Sequence, residues 1–224
     1  MFMRGKIDLK TVGKYMLFFS TVAVAVWGAL LIFHWVSDAR DRAIDHARDV
    51  YVQRIESKFH AAREELAIEV DNYIKTVAPK SNVDALNIID LCTLYNVDLR
   101  LVLVQGHVES HFATKGTARR TNSIFNVGAF DGHSARKQIK NGYGYKHPDY
   151  SVEPYLKLLV TDYLVDGKTE LDLLQKFVNK NGQRYASATN YEAMLKKRWD
   201  MIDEYANITE TYETYRHYAL LLGC

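Results

Sequence analysis

Residues 101–128 read LVLVQGHVESHFATKGTARRTNSIFNVG, and this stretch decides how the rest of the chain is interpreted. Apolar residues recur in its first half at helical spacing, at Leu101, Val104, Val108 and Phe112. Glu109 lies beside that apolar stripe, where a carboxylate loses hydration and its pKa rises. A carboxyl group that stays protonated near neutral pH can act as a general acid. We therefore predict a helix over residues 98–113 with Glu109 as a candidate catalytic residue.

The second half of the stretch is a polar loop, TNSIFNVG at residues 121–128, in which amides and hydroxyls surround an apolar pair. Amides can bond the hydroxyl and acetamido groups of a sugar, and aromatic rings can stack on its faces. Asn and Gly also form turns for purely structural reasons. The loop alone is therefore compatible with a sugar site or with a structural turn, and its position after Glu109 favours the sugar site.

Upstream, residues 15–36 form an apolar run that contains no Asp, Glu, Lys or Arg. A helix of this length rises about 33 Å, enough to cross a bilayer core of roughly 30 Å. The preceding residues 1–14 carry four basic side chains and one acidic side chain, whereas the flank after residue 36 is mixed. The positive-inside rule then predicts a cytoplasmic N-terminus, a transmembrane anchor at 15–36, and the rest of the chain on the outer side.

Residues 37–80 predict a charged helical stalk without an internal Gly, ending near Pro79. A thin apolar stripe runs along it, at Ile44, Ala47, Tyr51, Ile55, Phe59, Ala62, Leu66, Val70, Tyr73 and Val77. The stripe is compatible with a solvated stalk, with a homo-oligomer, or with docking against the next domain. We place a domain boundary at residue 81, with Ser81 or Asn82 as the cap of the following helix.

Residues 81–207 show helical patterns, at 83–92, 98–113, 152–165, 171–179 and 191–205. They predict a small, mainly α domain with one long loop, followed by a tail at 208–224 that is another possible helix. The formal net charge of +2 does not argue for nucleic acid. The two cysteines form no disulfide framework or metal-ligand spacing, and no phosphate loop or nucleophilic Ser or Cys constellation is present, so no cofactor is implied.

Four segments resemble those of bacterial and phage peptidoglycan N-acetylglucosaminidases. QGHVESHFA at 105–113 resembles the family signature Q-A-A-L-E-S-G-W-G, and NSIFNV at 122–127 resembles N-N-L-F-G-I. Tyr145 followed by SVEPYL at 151–156 resembles Y…S-V-x-x-Y, and YA with NY at 185–191 resembles Y-A-T-D-P-x-Y. The segments occur in the family's order and span about 82–205. The resemblance implies a lysozyme-like helical fold and hydrolysis of peptidoglycan strands after N-acetylglucosamine.

The resemblance assigns roles to individual residues. It makes Glu109 the general acid, and Tyr185 the residue that orients the substrate acetamido group or the attacking water. Asp131 is the candidate second carboxylate, with Glu153 as the other acid near the loop, although the substrate's own acetamido oxygen could act instead. The predicted substrate-binding residues are Gln105, Phe112, Asn122, Phe125, Asn126 and Tyr145.

The chain also departs from the family signature, and these departures keep other functions open. His111, Phe112 and Ala113 replace the family's G-W-G, and Asn126 replaces a glycine. Glu-Ser-x-Phe also occurs in lytic transglycosylases, but the G-L-M-Q type segment of those enzymes is missing here. A membrane-tethered wall-binding or assembly protein with the same fold is a further alternative. The sequence does not distinguish a bacterial from a phage role.

Overall fold

The computed structural model describes residues 9–127, 135–142 and 144–223. Its regular structure within these residues is helical, which confirms the predicted mainly α class for the described part. The α-helices are α1 (Leu9–Val77), α2 (Ala85–Tyr95), α3 (Leu99–Ser110), α4 (Ala118–Thr121), α5 (Ala135–Lys140), α6 (Val152–Leu158), α7 (Glu170–Gln175), α8 (Tyr191–Asp200) and α9 (Ile208–Leu222). Short 3-10 segments lie at Pro148–Ser151 and Ile202–Glu204, and a π-helical turn lies at Leu159–Tyr163.

The chain divides into two units, and the first, Met1–Arg54, is described through the N-terminal part of α1. Large apolar side chains there are exposed, including Trp27 (69%) and Trp35 (68%). An 18-residue window has a mean hydropathy of 1.6 and none of it is buried. By length and composition, this segment is a candidate membrane span.

The second unit begins at Ile55 and contains all the remaining helices. The C-terminal part of α1 belongs to its core, with buried side chains at Ala62, Leu66, Val70, Tyr73 and Ile74. The compact unit therefore starts at Ile55, within the predicted stalk 37–80, rather than at residue 81. Of the three interpretations of the apolar stripe, docking applies from Ile55 onward, whereas Ile44 and Tyr51 in the first unit are exposed.

Side chains of α1 contact three other helices of this unit. Arg63 forms two hydrogen bonds with Asp90 of α2, at 2.8 and 2.5 Å. The ring of Phe59 lies 5.3 Å from that of Tyr215 in α9. The hydroxyl of Tyr73 is 3.0 Å from Nδ1 of His107 in α3. These contacts explain why the stripe is buried here, because apolar helix faces are stabilised by packing against other elements.

The two helices that follow α1 directly, α2 and α3, begin at aspartate caps. Asp84 accepts a hydrogen bond from the Leu86 amide at the start of α2, and Asp98 accepts one from the Arg100 amide at the start of α3. Such caps satisfy amide groups that have no partner within the helix. Asp84 therefore takes the role predicted for Ser81 or Asn82. Ser81 instead donates to the carbonyl of Phe112 at 3.1 Å, which links the end of α1 to the segment after α3.

The C-terminal residues, predicted as a separate tail at 208–224, include a helix of the second unit. α9 buries Ile208, Tyr212, Tyr215 and Ala219 on one face. The Tyr212 hydroxyl accepts a hydrogen bond of 3.2 Å from the Leu99 amide at the start of α3. This helix therefore helps to fix the first turn of α3.

Arg100 connects the start of α3 with α8 and α9. It forms a 2.7 Å salt bridge with Asp98, and its guanidinium lies 4.7 Å from the ring centre of Trp199 and 5.8 Å from that of Tyr212. Cation–π contacts of this kind stabilise a partly buried arginine. The N-terminal end of α3 is thus held by an ion pair and by two aromatic rings.

Candidate functional site

Glu109 lies at the end of the most buried helix of the described chain segments. Every residue of α3 from Leu101 to His107 is buried, so this helix passes through the core rather than along the surface. Glu109 is half-buried in the last turn, where α3 reaches the surface. A carboxylate at this point is close to apolar surroundings but is not sealed from solvent.

Two side chains from distant parts of the chain bind the carboxylate of Glu109. Tyr191, at the first position of α8, donates a hydrogen bond of 2.5 Å to Oε1. The amide of Asn126 donates to Oε2 at 3.1 Å and also to the backbone carbonyl of Glu109 at 3.0 Å. Glu109 and Asn126, predicted as the acid and a substrate-binding residue of one site, are therefore in direct contact.

The balance of these interactions raises the pKa of Glu109 above its ordinary value. Removal of water from around the carboxylate is the largest effect and favours the neutral acid. The hydrogen bonds from Tyr191 and Asn126 favour the charged form and oppose this effect without cancelling it. The site therefore favours a protonated Glu109 over a wider pH range than an exposed glutamate would have.

A buried chain of hydrogen bonds lies behind Tyr191. Tyr155 donates to Oε1 of Gln105, and Nε2 of Gln105 donates to the Tyr191 hydroxyl at 3.0 Å. Because the Gln105 amide supplies a proton to Tyr191, the Tyr191 hydroxyl directs its own proton to Glu109. Gln105 is fully buried (0% exposed), so here it supports the acid from behind and does not present a surface to substrate.

Aromatic rings surround this hydrogen-bonded chain. The rings of Phe125 and Tyr155 stack with their centres 3.8 Å apart, and those of Tyr185 and Tyr191 stack at 5.9 Å. The Tyr185 hydroxyl donates to the Phe125 carbonyl at 2.5 Å. Tyr185 is thus brought next to Tyr191, but its hydroxyl binds the polar loop and not Glu109. Tyr191 is the contact of Glu109 that the sequence analysis did not assign to the site.

The remaining predicted substrate-binding residues are distributed between the loop and the core. Asn122 donates to the carbonyl of Tyr145 at 2.9 Å, and the Tyr145 amide donates to the Thr121 carbonyl at 2.8 Å, so the two loops are paired. Phe112 and Phe125 are buried, at 1% and 0% exposed, and contribute to the wall of the site from inside. Of the predicted binding set, the half-buried Asn122, Asn126 and Tyr145 are the members that reach the surface.

The backbone after Glu109 takes a conformation that favours glycine. His111, Phe112 and Ala113 are successive residues with φ of 47°, 50° and 62°, and Asn126 has φ of 50°. Residues 111, 113 and 126 are the positions at which the resembled family carries glycine. A Cβ added at Gly106 would lie 3.0 Å from the Phe112 ring and 3.1 Å from Ile124, which shows how closely this turn packs against α3.

Of the two acids proposed as a second catalytic carboxylate, the structure describes Glu153. Asp131 lies outside the described residues. Glu153 is exposed, accepts a hydrogen bond of 2.9 Å from Tyr95, and pairs with Lys157 at 2.7 Å. These partners, Lys157 first, lower the pKa of Glu153. Within the described part of the chain, no group of three or more His, Cys, Asp or Glu side chains is arranged to hold a metal ion.

Comparison with known proteins yields no match to a family model, to a curated protein or to a solved structure.

Proposed function

We propose that this protein is a membrane-anchored peptidoglycan hydrolase, an endo-β-N-acetylglucosaminidase, with Glu109 as its general acid. The observation that carries the proposal is the half-buried Glu109 carboxyl, whose pKa is raised and whose two oxygens are bound by Tyr191 and Asn126. A glycosidase requires a carboxylic acid of this kind to protonate the leaving oxygen. The four motif segments supply the substrate class.

The hydrogen bonds indicate which oxygen of Glu109 carries the proton. Oε1 accepts from Tyr191, which suits the carbonyl oxygen of a neutral carboxyl group. A proton on Oε2 displaces the hydrogen bond that the Asn126 amide donates to this oxygen. The amide keeps its other hydrogen bond, to the backbone carbonyl of Glu109 at 3.0 Å. Protonation of Oε2 therefore leaves the amide of Asn126 bonded.

In the proposed reaction, Glu109 transfers this proton to the glycosidic oxygen while the bond from that oxygen to C1 breaks. Positive charge that develops at C1 is met by the acetamido oxygen of the substrate or by Asp131. The oxygen of a water molecule then bonds to C1, and one proton of that water moves to Glu109 and restores its acid form. Tyr185, stacked on Tyr191, is the residue proposed to orient the acetamido group or this water.

A matched pair of variants tests this function. Glu109→Gln keeps the size of the side chain and one oxygen that can accept from Tyr191 but removes the acid, so we expect release of soluble fragments from purified sacculi to fall at least about 10²-fold. Glu153→Gln changes an exposed acid on α6 and should leave the rate unchanged. Full activity of Glu109→Gln would contradict the assignment.

Mass spectrometry of the products identifies the bond and separates the alternatives. Reducing N-acetylglucosamine ends are expected for the proposed enzyme, whereas anhydro-muramic ends would indicate a lytic transglycosylase. Binding to sacculi without release of fragments would indicate a non-catalytic wall-binding or assembly protein.

The proposed location has the N-terminus in the cytoplasm, a membrane span over residues 15–36, and the second unit on the outer side, where the wall lies. The apolar and unburied window near the N-terminus supports the span. The basic residues that precede it support the orientation. A reporter enzyme fused after Cys224 should be active only outside the cytoplasm. Activity confined to the cytoplasm would contradict the proposed topology.

A further inference from the structure

An open basic cleft follows directly after the turn that carries Glu109. It has a volume of about 500 Å³ and is lined by Thr114, Lys115, Gly116, Arg119 and Arg120. Its three cationic side chains are exposed. Glu109 does not line this cleft, which is therefore distinct from the acid site itself.

The three cations have no carboxylate partner among the residues that the structure describes. The ion pairs of the described chain use other basic residues, at His34, Arg63, Arg100, His147, Lys157, Lys180 and Arg184. Three like charges around one concave surface repel one another, and an anionic ligand would relieve this repulsion. Two of them are arginines, whose planar guanidinium groups match carboxylates in two-point hydrogen bonding.

Short backbone bonds fix the cleft to the end of α3. The amides of Thr114 and Lys115 donate to the Ser110 carbonyl at 3.1 and 2.9 Å. The Ser110 hydroxyl donates to the Ile124 carbonyl at 2.6 Å, within the Asn-rich loop. Ser110 therefore connects the cleft both to α3 and to the Asn-rich loop. A ligand held in the cleft would lie next to the turn that positions Glu109.

We propose that this cleft binds carboxylate groups of the peptidoglycan strand whose glycosidic bond meets Glu109; this inference rests on the proposed function. N-acetylglucosamine is neutral, whereas the neighbouring sugar carries a lactyl group whose carboxyl is either free or amide-linked to a stem peptide with free carboxylates of its own. A basic cleft beside the acid therefore distinguishes wall strands from neutral sugar polymers. It also sets the register of the strand relative to Glu109.

Binding can be measured without cleavage on the full chain in detergent micelles with the Glu109→Gln substitution. Arg119→Ser/Arg120→Ser removes two charges from the cleft. Lys196→Ser/Lys197→Ser removes two exposed charges from α8 and serves as the matched control. The ligands are soluble glycan strands with stem peptides, the same strands stripped by an amidase so that only the lactyl carboxylate remains, and neutral N-acetylglucosamine oligomers.

We expect the Arg119/Arg120 variant to bind peptide-bearing strands about ten-fold more weakly, and the Lys196/Lys197 variant to bind them as the parent does. Neutral oligomers should bind all three proteins equally. A loss confined to intact strands assigns the cleft to the carboxylates of the stem peptide. A loss on stripped strands as well shows that the cleft also binds the lactyl carboxylate that the amidase frees from its amide bond. Equal affinities of the two double variants for every ligand would overturn the proposal.

The binding experiment on the cleft and the cleavage experiment on Glu109 can succeed or fail independently. If the wild-type protein releases no fragments but the Arg119/Arg120 effect on binding is found, the hydrolase proposal fails and the cleft assignment stands. If the wild-type protein cleaves sacculi and the two double variants bind alike, the cleft assignment alone fails. The substituted side chains are exposed, so thermal unfolding should be the same for all three proteins.

Discussion

The hydroxyl of Tyr191 donates a 2.5 Å hydrogen bond to Oε1 of Glu109, although the two residues lie 82 positions apart in the chain. It is the shortest link between the end of α3 and the start of α8 at this site. The same hydroxyl accepts a hydrogen bond from Gln105, which is itself bound by Tyr155. The ionisation of Glu109 is therefore linked to a buried network that a ligand would not touch directly.

Loss of the Tyr191 hydroxyl should change the pH profile of the reaction. Its hydrogen bond favours the charged carboxylate, so Tyr191→Phe should raise the pKa of Glu109 further. A general acid must be protonated, so the alkaline limb of kcat/KM should move to higher pH. Tyr95→Phe is the control, because that hydroxyl binds the exposed Glu153 and not Glu109, and it should leave the limb where it is.

Glu109 should also make the stability of the fold depend on pH. Its pKa is raised in the folded protein, so its contribution is fully present below the pKa of the unfolded chain and is lost as pH rises through the folded pKa. Glu109→Gln should therefore become more stable relative to the wild type as pH increases from about 4 to 8. Urea unfolding of both proteins at several pH values measures this difference. A constant difference would show that the burial of Glu109 has no energetic consequence.

His107 should have the opposite effect at acid pH. Burial is the main cause that lowers its pKa from 6.5 to about 4, with Arg198 and His111 adding to it. Below pH 6.5 the unfolded chain binds a proton at this imidazole that the folded protein does not bind, so stability is lost as pH falls towards 4. The loss attributable to His107 should be on the order of 2 kcal/mol, allowing for screening. His107→Gln should show a smaller decline between pH 7 and 5 in urea titrations.

Ala113 occupies a backbone conformation that favours glycine, and this predicts a stabilising substitution. Its φ is 62°, where an L-residue costs roughly 1–2 kcal/mol relative to glycine. Ala113→Gly should raise the free energy of unfolding by about 1 kcal/mol, less the small loss of one buried methyl. Ala62→Gly, at a buried position inside α1, should lower it by about 1 kcal/mol. Destabilisation by both substitutions would contradict the strain at Ala113.

The parts of the site that could be predicted from sequence are those that lie close together along the chain. Glu109 and Asn126 are 17 positions apart, and the motif resemblance assigned both of them to one site. Tyr191 was not assigned, because its contact depends on how α8 packs against α3. The resembled segment contains both Tyr185 and Tyr191, but the resemblance assigned a role to Tyr185 alone.

The role of the apolar stripe on α1 could not be predicted for a related reason. The spacing of Leu66, Val70 and Tyr73 defined the stripe correctly, but spacing does not reveal which surface covers it. That surface comes from residues far along the chain, such as His107 and Tyr215. The burial of Gln105 could not be predicted either, because its amide is satisfied by Tyr155 and Tyr191 from two other helices.

The contact between Arg100 and Trp199 offers a way to observe the second unit by fluorescence. The chain has three tryptophans, and the other two, Trp27 and Trp35, are exposed in the apolar segment near the N-terminus. With Trp27→Phe and Trp35→Phe, emission would come from Trp199 alone, whose ring lies 4.7 Å from the guanidinium of Arg100. Unfolding separates the two and exposes the indole to water, so a single emission band would report the unfolding of the unit that contains Glu109.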